Sequence, residues 1–146
     1  MNSESTTQAD LAARLRLSVT RTARRLRQEA GSDLSPSLQA ALATIERRGP
    51  ITPSELAEAE RIQRPTATRV IARLEDEGLV DRAGDVADRR VTLISVTRAG
   101  KDLLRRLRTR KNAYLARRLR DMPAEDLAAL ERAADVLERM LEDERR

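Results

Sequence analysis

The chain contains no cysteine and no histidine. The first absence excludes disulfides, thiolate metal sites and thiol-based redox sensing. The second removes the commonest general base and the usual imidazole metal ligand. Any catalytic reading is left with carboxylates, hydroxyls and the lysines Lys101 and Lys111. The carboxylates Glu75, Asp76 and Glu77 read as a charged helix end, so no catalytic residue, metal or cofactor is expected. Aromatic residues are nearly missing as well, with Tyr114 the single example. A core limited to Leu, Ala, Val and Ile favours packed helices over a large sheet. No run approaches a membrane span, and the polar stretch from Met1 to Asp10 lacks the basic start and apolar run of a signal peptide. The expected location is the cytoplasm, with no membrane partner.

What is present is charge of a particular kind. Basic residues outnumber acidic ones 29 to 24, and all but two of the basic ones are arginine. Guanidinium groups suit phosphate and base-edge recognition, although solvated helix surface has the same composition. The length of 146 residues fits one compact domain.

Apolar periodicity divides that length into helices. From Ala9 to about Ala30, Leu11, Leu15, Val19 and Leu26 form a narrow stripe that ends at Gly31. Ser35-Pro36 then supplies an N-cap and a first-turn proline for a second helix burying Leu38, Ala41, Leu42 and Ile45, which stops at Gly49-Pro50. Thr52-Pro53-Ser54-Glu55 is a capping box opening a short third helix. Arg64-Pro65 opens a fourth, which ends before Gly78. Two short helices joined by a tight turn predict a helix-turn-helix. Leu79 to Arg82 and Arg90 to Val96 read as the strands of a hairpin with a polar tip between Gly84 and Arg89. Thr97 caps a long helix, and Pro123 opens the last one.

In the last helix Leu127, Leu130, Ala134, Leu137 and Leu141 are spaced by three and four residues, a seam that needs a partner helix. One small domain offers too little core to cover both this seam and that of Leu11, Leu15 and Val19. A homodimer joined through both chain ends is therefore expected.

On the fourth helix, at about 100° per residue, Ala67, Val70, Ile71 and Leu74 fall on one side. Pro65, Thr68 and Arg69 fall opposite, with Thr66 on the flank. Such a polar N-terminal half is what enters a major groove, where Arg bridges guanine O6 and N7 and Thr meets acceptors or a thymine methyl. Arg64, Thr66, Thr68 and Arg69 are the readout candidates. Pro65, Arg73, Arg89 and Arg90 complete the DNA-binding set, Arg73 being open between a DNA contact and a protein partner. Asp88, which repels phosphate, is expected to pair with Arg73 or Arg90 and to orient the hairpin.

The order of elements, with Arg64 to Val70, Arg73-Leu74-Glu75, Gly78-Leu79-Val80, Arg82, Asp85, Asp88-Arg89-Arg90, Val96 to Gly100, Pro123 and Glu125, resembles the MarR (multiple antibiotic resistance regulator) family of winged-helix regulators. The resemblance runs over nearly the whole chain from about Leu11. It implies a mainly α fold: residues 1–146 as a single domain, 35–96 as a winged helix-turn-helix with a two-strand wing, and 9–34 with 97–146 as dimerisation helices. It places Arg89 in the minor groove, whose negative potential attracts guanidinium. It also implies a regulator, expected to repress from a palindrome on double-stranded DNA. The alternative is an architectural protein with little sequence preference. Family members that take phenolic effectors do so between the winged region and the dimerisation helices, and here only Tyr114 offers an aromatic ring. Met122 stands where a Ser or Thr would cap the last helix, a weakening of about 1 kcal/mol.

Overall fold

The computed structural model describes residues 2–143. Its elements, in order, are α1 (Asn2–Ala30), α2 (Pro36–Arg48), α3 (Pro53–Glu60), α4 (Arg64–Asp76), β1 (Val80–Gly84), β2 (Thr92–Val96), α5 (Arg98–Arg120) and α6 (Ala124–Asp143). This is the expected mainly helical, winged architecture. Nothing in Asn2 to Asp10 breaks a helix, so α1 starts well before Ala9.

The caps follow the sequence signals. Ser35 Oγ accepts from Leu38 N at 3.3 Å and Thr52 Oγ from Glu55 N at 3.1 Å. Thr97 accepts from Gly100 N at 3.1 Å and donates its hydroxyl to Gly78 O at 2.7 Å, tying the start of α5 to the end of the helix-turn-helix. Gly49 departs from expectation: its φ of −66° is ordinary, so left-handed geometry is not its reason. Close approach is, because a Cβ there would strike the Ile45 carbonyl oxygen. At α6, Pro123 O accepts from Leu127 N at 3.1 Å, which makes Pro123 the capping position and moves Met122 one residue outside it.

The chain forms two compact units, the first ending at Lys111 and the second beginning at Asn112. The core of the first is Leu42, Ile45, Leu56, Ile71, Leu74 and Ile94, all with no solvent exposure, extended by Leu79, Val80 and Leu104. Leu104 and Leu107 of α5 are buried in this unit, which carries its boundary past Thr97 and into the helix. The second unit holds the end of α5 and α6, where Leu127, Leu130 and Leu141 are exposed.

β1 and β2 pair antiparallel, with Val80 opposite Val96 and Gly84 opposite Thr92. A short bridge extends this small sheet: Ile51 and Ile94 exchange backbone hydrogen bonds of 3.0 and 2.7 Å. The sequence pattern gives no sign of Ile51, a lone apolar residue between Pro50 and Thr52. Its pairing joins the hairpin to the α2–α3 connection. The hairpin tip lies two residues further along the chain than expected, with Asp85 Oδ1 accepting from Ala87 N at 2.9 Å and Asp88 Oδ1 from Arg90 N at 3.0 Å. These local turns hold Arg90 out of the ladder, so β2 begins at Thr92 rather than at Arg90.

A candidate nucleic-acid interface

α4 sorts its residues as the 3.6-residue period requires. Ala67, Ile71 and Leu74 are fully buried, while Arg64, Pro65, Thr68 and Arg69 are exposed and Thr66 and Val70 half-buried. The exposed polar face carries its own hydrogen bonds. Thr68 donates its hydroxyl to Arg64 O at 3.1 Å, leaving its oxygen lone pairs and methyl group outward. Arg69 Nη2 donates to Thr66 Oγ at 3.3 Å, which holds the guanidinium along the helix without consuming its other donors.

Arg73 lies a turn further on and pairs with Glu77 at 3.2 Å, so it has a protein partner within its own helix end. Asp88 pairs with Arg90 at 3.2 Å rather than with Arg73. The Arg90 side chain, and then its backbone N–H, hold the Asp88 carboxyl below the usual carboxylate range. Arg89 is exposed at the wing tip.

A pairing that sequence reasoning missed fixes the wing from the other side. Arg82 Nε on β1 donates to Glu75 Oε2 on α4 at 2.9 Å, with both side chains about two-fifths exposed. Glu75 is thus more than a charged helix end. Nothing in sequence spacing pairs a helix residue with the strand seven positions later, because that depends on how the turn at Gly78 (φ 72°) returns the chain.

Next to α4 lies a cavity of about 360 Å³ bounded by the Gly31–Leu34 segment, α2, the end of α4 and α5. Leu38, Leu103 and Leu107 supply apolar wall, Arg73, Arg106 and Arg110 supply cations, and Asp33 and Glu77 supply carboxylates. Arg110 Nη1 is engaged with Ala30 O at 2.8 Å. Tyr114 is occupied within α5, with the Arg118 guanidinium 5.6 Å from its ring centroid. Among the described residues, no group of three or more His, Cys, Asp or Glu is arranged to hold a metal, and no helix is long and apolar enough to cross a membrane.

The MarR family model matches residues 34–92, the stretch from the entrance of α2 to the start of β2. An HTH-type transcriptional regulator of Mycobacterium tuberculosis is 40% identical over 130 residues, spanning 88% of this chain and 91% of the relative. The chain belongs to the MarR family. It shares this family's fold with a crystal structure of a Pseudomonas aeruginosa protein at 34% identity and a TM-score of 0.82, covering 92% of this chain and 96% of that one. It also shares the fold of Streptococcus pneumoniae FabT, solved in complex with DNA, at 21% identity and a TM-score of 0.70, covering 94% and 98%. As a MarR-family transcriptional regulator, it has in α3 and α4 the family's helix-turn-helix and in β1–β2 its wing.

Proposed function

We propose that the chain is a sequence-specific repressor that binds a palindromic double-stranded operator as a homodimer. The observation that carries this reading is the exposed N-terminal half of α4, where Arg64, Pro65, Thr66, Thr68 and Arg69 form a polar face over a fully buried apolar one. That face enters the major groove. Arg69 and Arg64 donate to guanine, while Thr68, its own proton engaged, accepts from an exocyclic amine or meets a thymine methyl. Arg89 enters the flanking minor groove from a tip whose shape Asp88 holds through Arg90. Arg73 and Arg90 each have a carboxylate partner that offsets much of their charge, so their part is the remaining N–H donors, which can meet phosphate oxygens. The homodimer joins through the stripes of Leu11, Leu15 and Val19 on α1 and of Leu127, Leu130, Leu137 and Leu141 on α6, most of which are exposed in the single chain. A small-molecule effector would occupy the Arg73, Arg106 and Arg110 cavity. Its leucines, with arginines and the carboxylates of Asp33 and Glu77 around them, suit a ligand with an apolar body and polar ends.

Footprinting of bound genomic DNA tests the reading. It should give an inverted repeat with half-site centres about 10 bp apart, one helical turn. Protection without an inverted repeat would overturn it, and protein that leaves transcription from the footprinted promoter unchanged would remove the repressor role.

A further inference from the structure

Three helices of the first unit begin on a side-chain cap, from Ser35, Thr52 and Thr97. α4 does not: Gln63 precedes it in extended geometry and makes no capping hydrogen bond through its side chain. The entry of the DNA-reading helix is therefore set by the turn before it. There Arg61 is left-handed at φ 53°, and Ile62 N donates to Ala57 O at 3.0 Å.

Glu60, the last residue of α3, stands in that turn against its local electrostatics. With Glu58 it places a second carboxylate at the negative end of a helix whose last turn has no basic residue. Its charge also opposes phosphate beside a helix meant for DNA. The compensation comes from α2. Thr44, only 3% exposed, donates its hydroxyl to Glu60 Oε1 and accepts from Arg47 Nη2 at 3.4 Å. Glu60 also lines one groove with Ala40 and Ala41 of α2 and with Thr66 and Val70 of α4. Its carboxylate therefore sits where α2, the turn and the readout helix meet. The signal in the sequence was a polar Thr44 on the otherwise apolar face of Ala41, Leu42 and Ile45.

We infer that Glu60 is a positioning residue for DNA reading: its bond to Thr44 clamps the α3–α4 turn onto α2 and sets the direction in which α4 projects. The inference rests on α4 being the base-reading helix. The test compares Thr44→Val, Thr44→Ser, Glu60→Ala and Glu60→Gln for binding to a duplex selected from a random pool by the wild-type protein and to a random duplex, at a temperature where circular dichroism shows each variant folded. Thr44→Val and Glu60→Ala should each lower the ratio of the two affinities about tenfold, the scale of one hydrogen bond to a charged group. Thr44→Ser, which keeps the donor, should stay within about twofold of wild type, and Glu60→Gln, which keeps an acceptor but not its charge, should lose less of the ratio than Glu60→Ala. A ratio unchanged in Thr44→Val while its melting temperature falls would overturn the inference, as would failure of Thr44→Ser to restore the ratio. If the wild type itself shows no preference between the duplexes, the sequence-specific reading fails instead. Amide hydrogen exchange of Ala67 to Ile71 without DNA then decides the clamp: faster exchange in Thr44→Val than in Thr44→Ser supports it, and equal exchange overturns it.

Discussion

The helix-turn-helix region and the two terminal helices treat the same residue types in opposite ways. Leu42, Leu56, Ile71 and Leu74 have no exposed surface, whereas Leu11, Leu130 and Leu141 remain 58%, 47% and 60% exposed. An apolar stripe states that a face must be covered but not what covers it. In α2 to α4 the chain covers its own stripes because the helices are short and their connections turn sharply at Gly49-Pro50 and Arg61. α1 and α6 span 29 and 20 residues, and their stripes run beyond what a small core can bury.

The sharpest way to break this contrast is to place a charge in the α6 seam. Leu137→Glu should weaken self-association by about 3–5 kcal/mol, because a carboxylate buried without a partner is strongly disfavoured. DNA affinity should fall with it. Sedimentation equilibrium reads the effect, and a dimer of unchanged strength would remove Leu137 from the interface. In the core, Ile71→Ala should instead lower the unfolding free energy by about 2–5 kcal/mol, through the smaller apolar burial and the cavity left behind. Denaturant titration that gave less than about 1 kcal/mol would mean that the α4 core face is looser than its burial indicates.

The same contrast operates across the width of one helix. Two positions before Ile71, Arg69 is exposed, and Arg69→Ala should leave stability nearly unchanged. It should cost roughly 1–3 kcal/mol per half-site on operator DNA, with less change on random DNA. Arg89→Ala should weaken both DNAs by comparable factors and make the logarithmic salt slope shallower by about 1 for each phosphate charge no longer neutralised. Fluorescence anisotropy across a salt series separates the two. Equal losses for Arg69→Ala on both DNAs would move the architectural alternative ahead.

The smallest effect concerns the exposed wing, where hydrogen bonds rather than burial hold the shape. The Asp88 carboxyl lies below its ordinary range because of Arg90, so its contribution is complete above the unfolded-state value and is lost as pH falls through the lower folded value. An NMR titration of the Asp88 carboxyl should show the low midpoint in the wild type and a rise toward the ordinary range in Arg90→Ala. An unchanged midpoint would mean that Arg90 does not hold the tip.

Much of this was legible in the sequence, for identifiable reasons. Ser35, Thr52 and Thr97 act on amides within three residues of themselves, and Ala67, Ile71 and Leu74 obey a helical period, so local geometry alone predicts their environments. The family resemblance likewise rests on short-range patterns around α4 and the wing. The bonds that orient those parts were not legible. Thr44 with Glu60, Arg82 with Glu75, and Ile51 with Ile94 join residues 16, 7 and 43 positions apart. Arg73 and Asp88, by contrast, take partners only four and two positions away, Glu77 and Arg90, so local spacing already brought these pairs within reach. Sequence by itself determined which faces are apolar, where helices start, and that no thiol or imidazole chemistry is available. Tertiary structure decided which of many like-charged candidates meet, because a pair separated in sequence depends on every turn between its members.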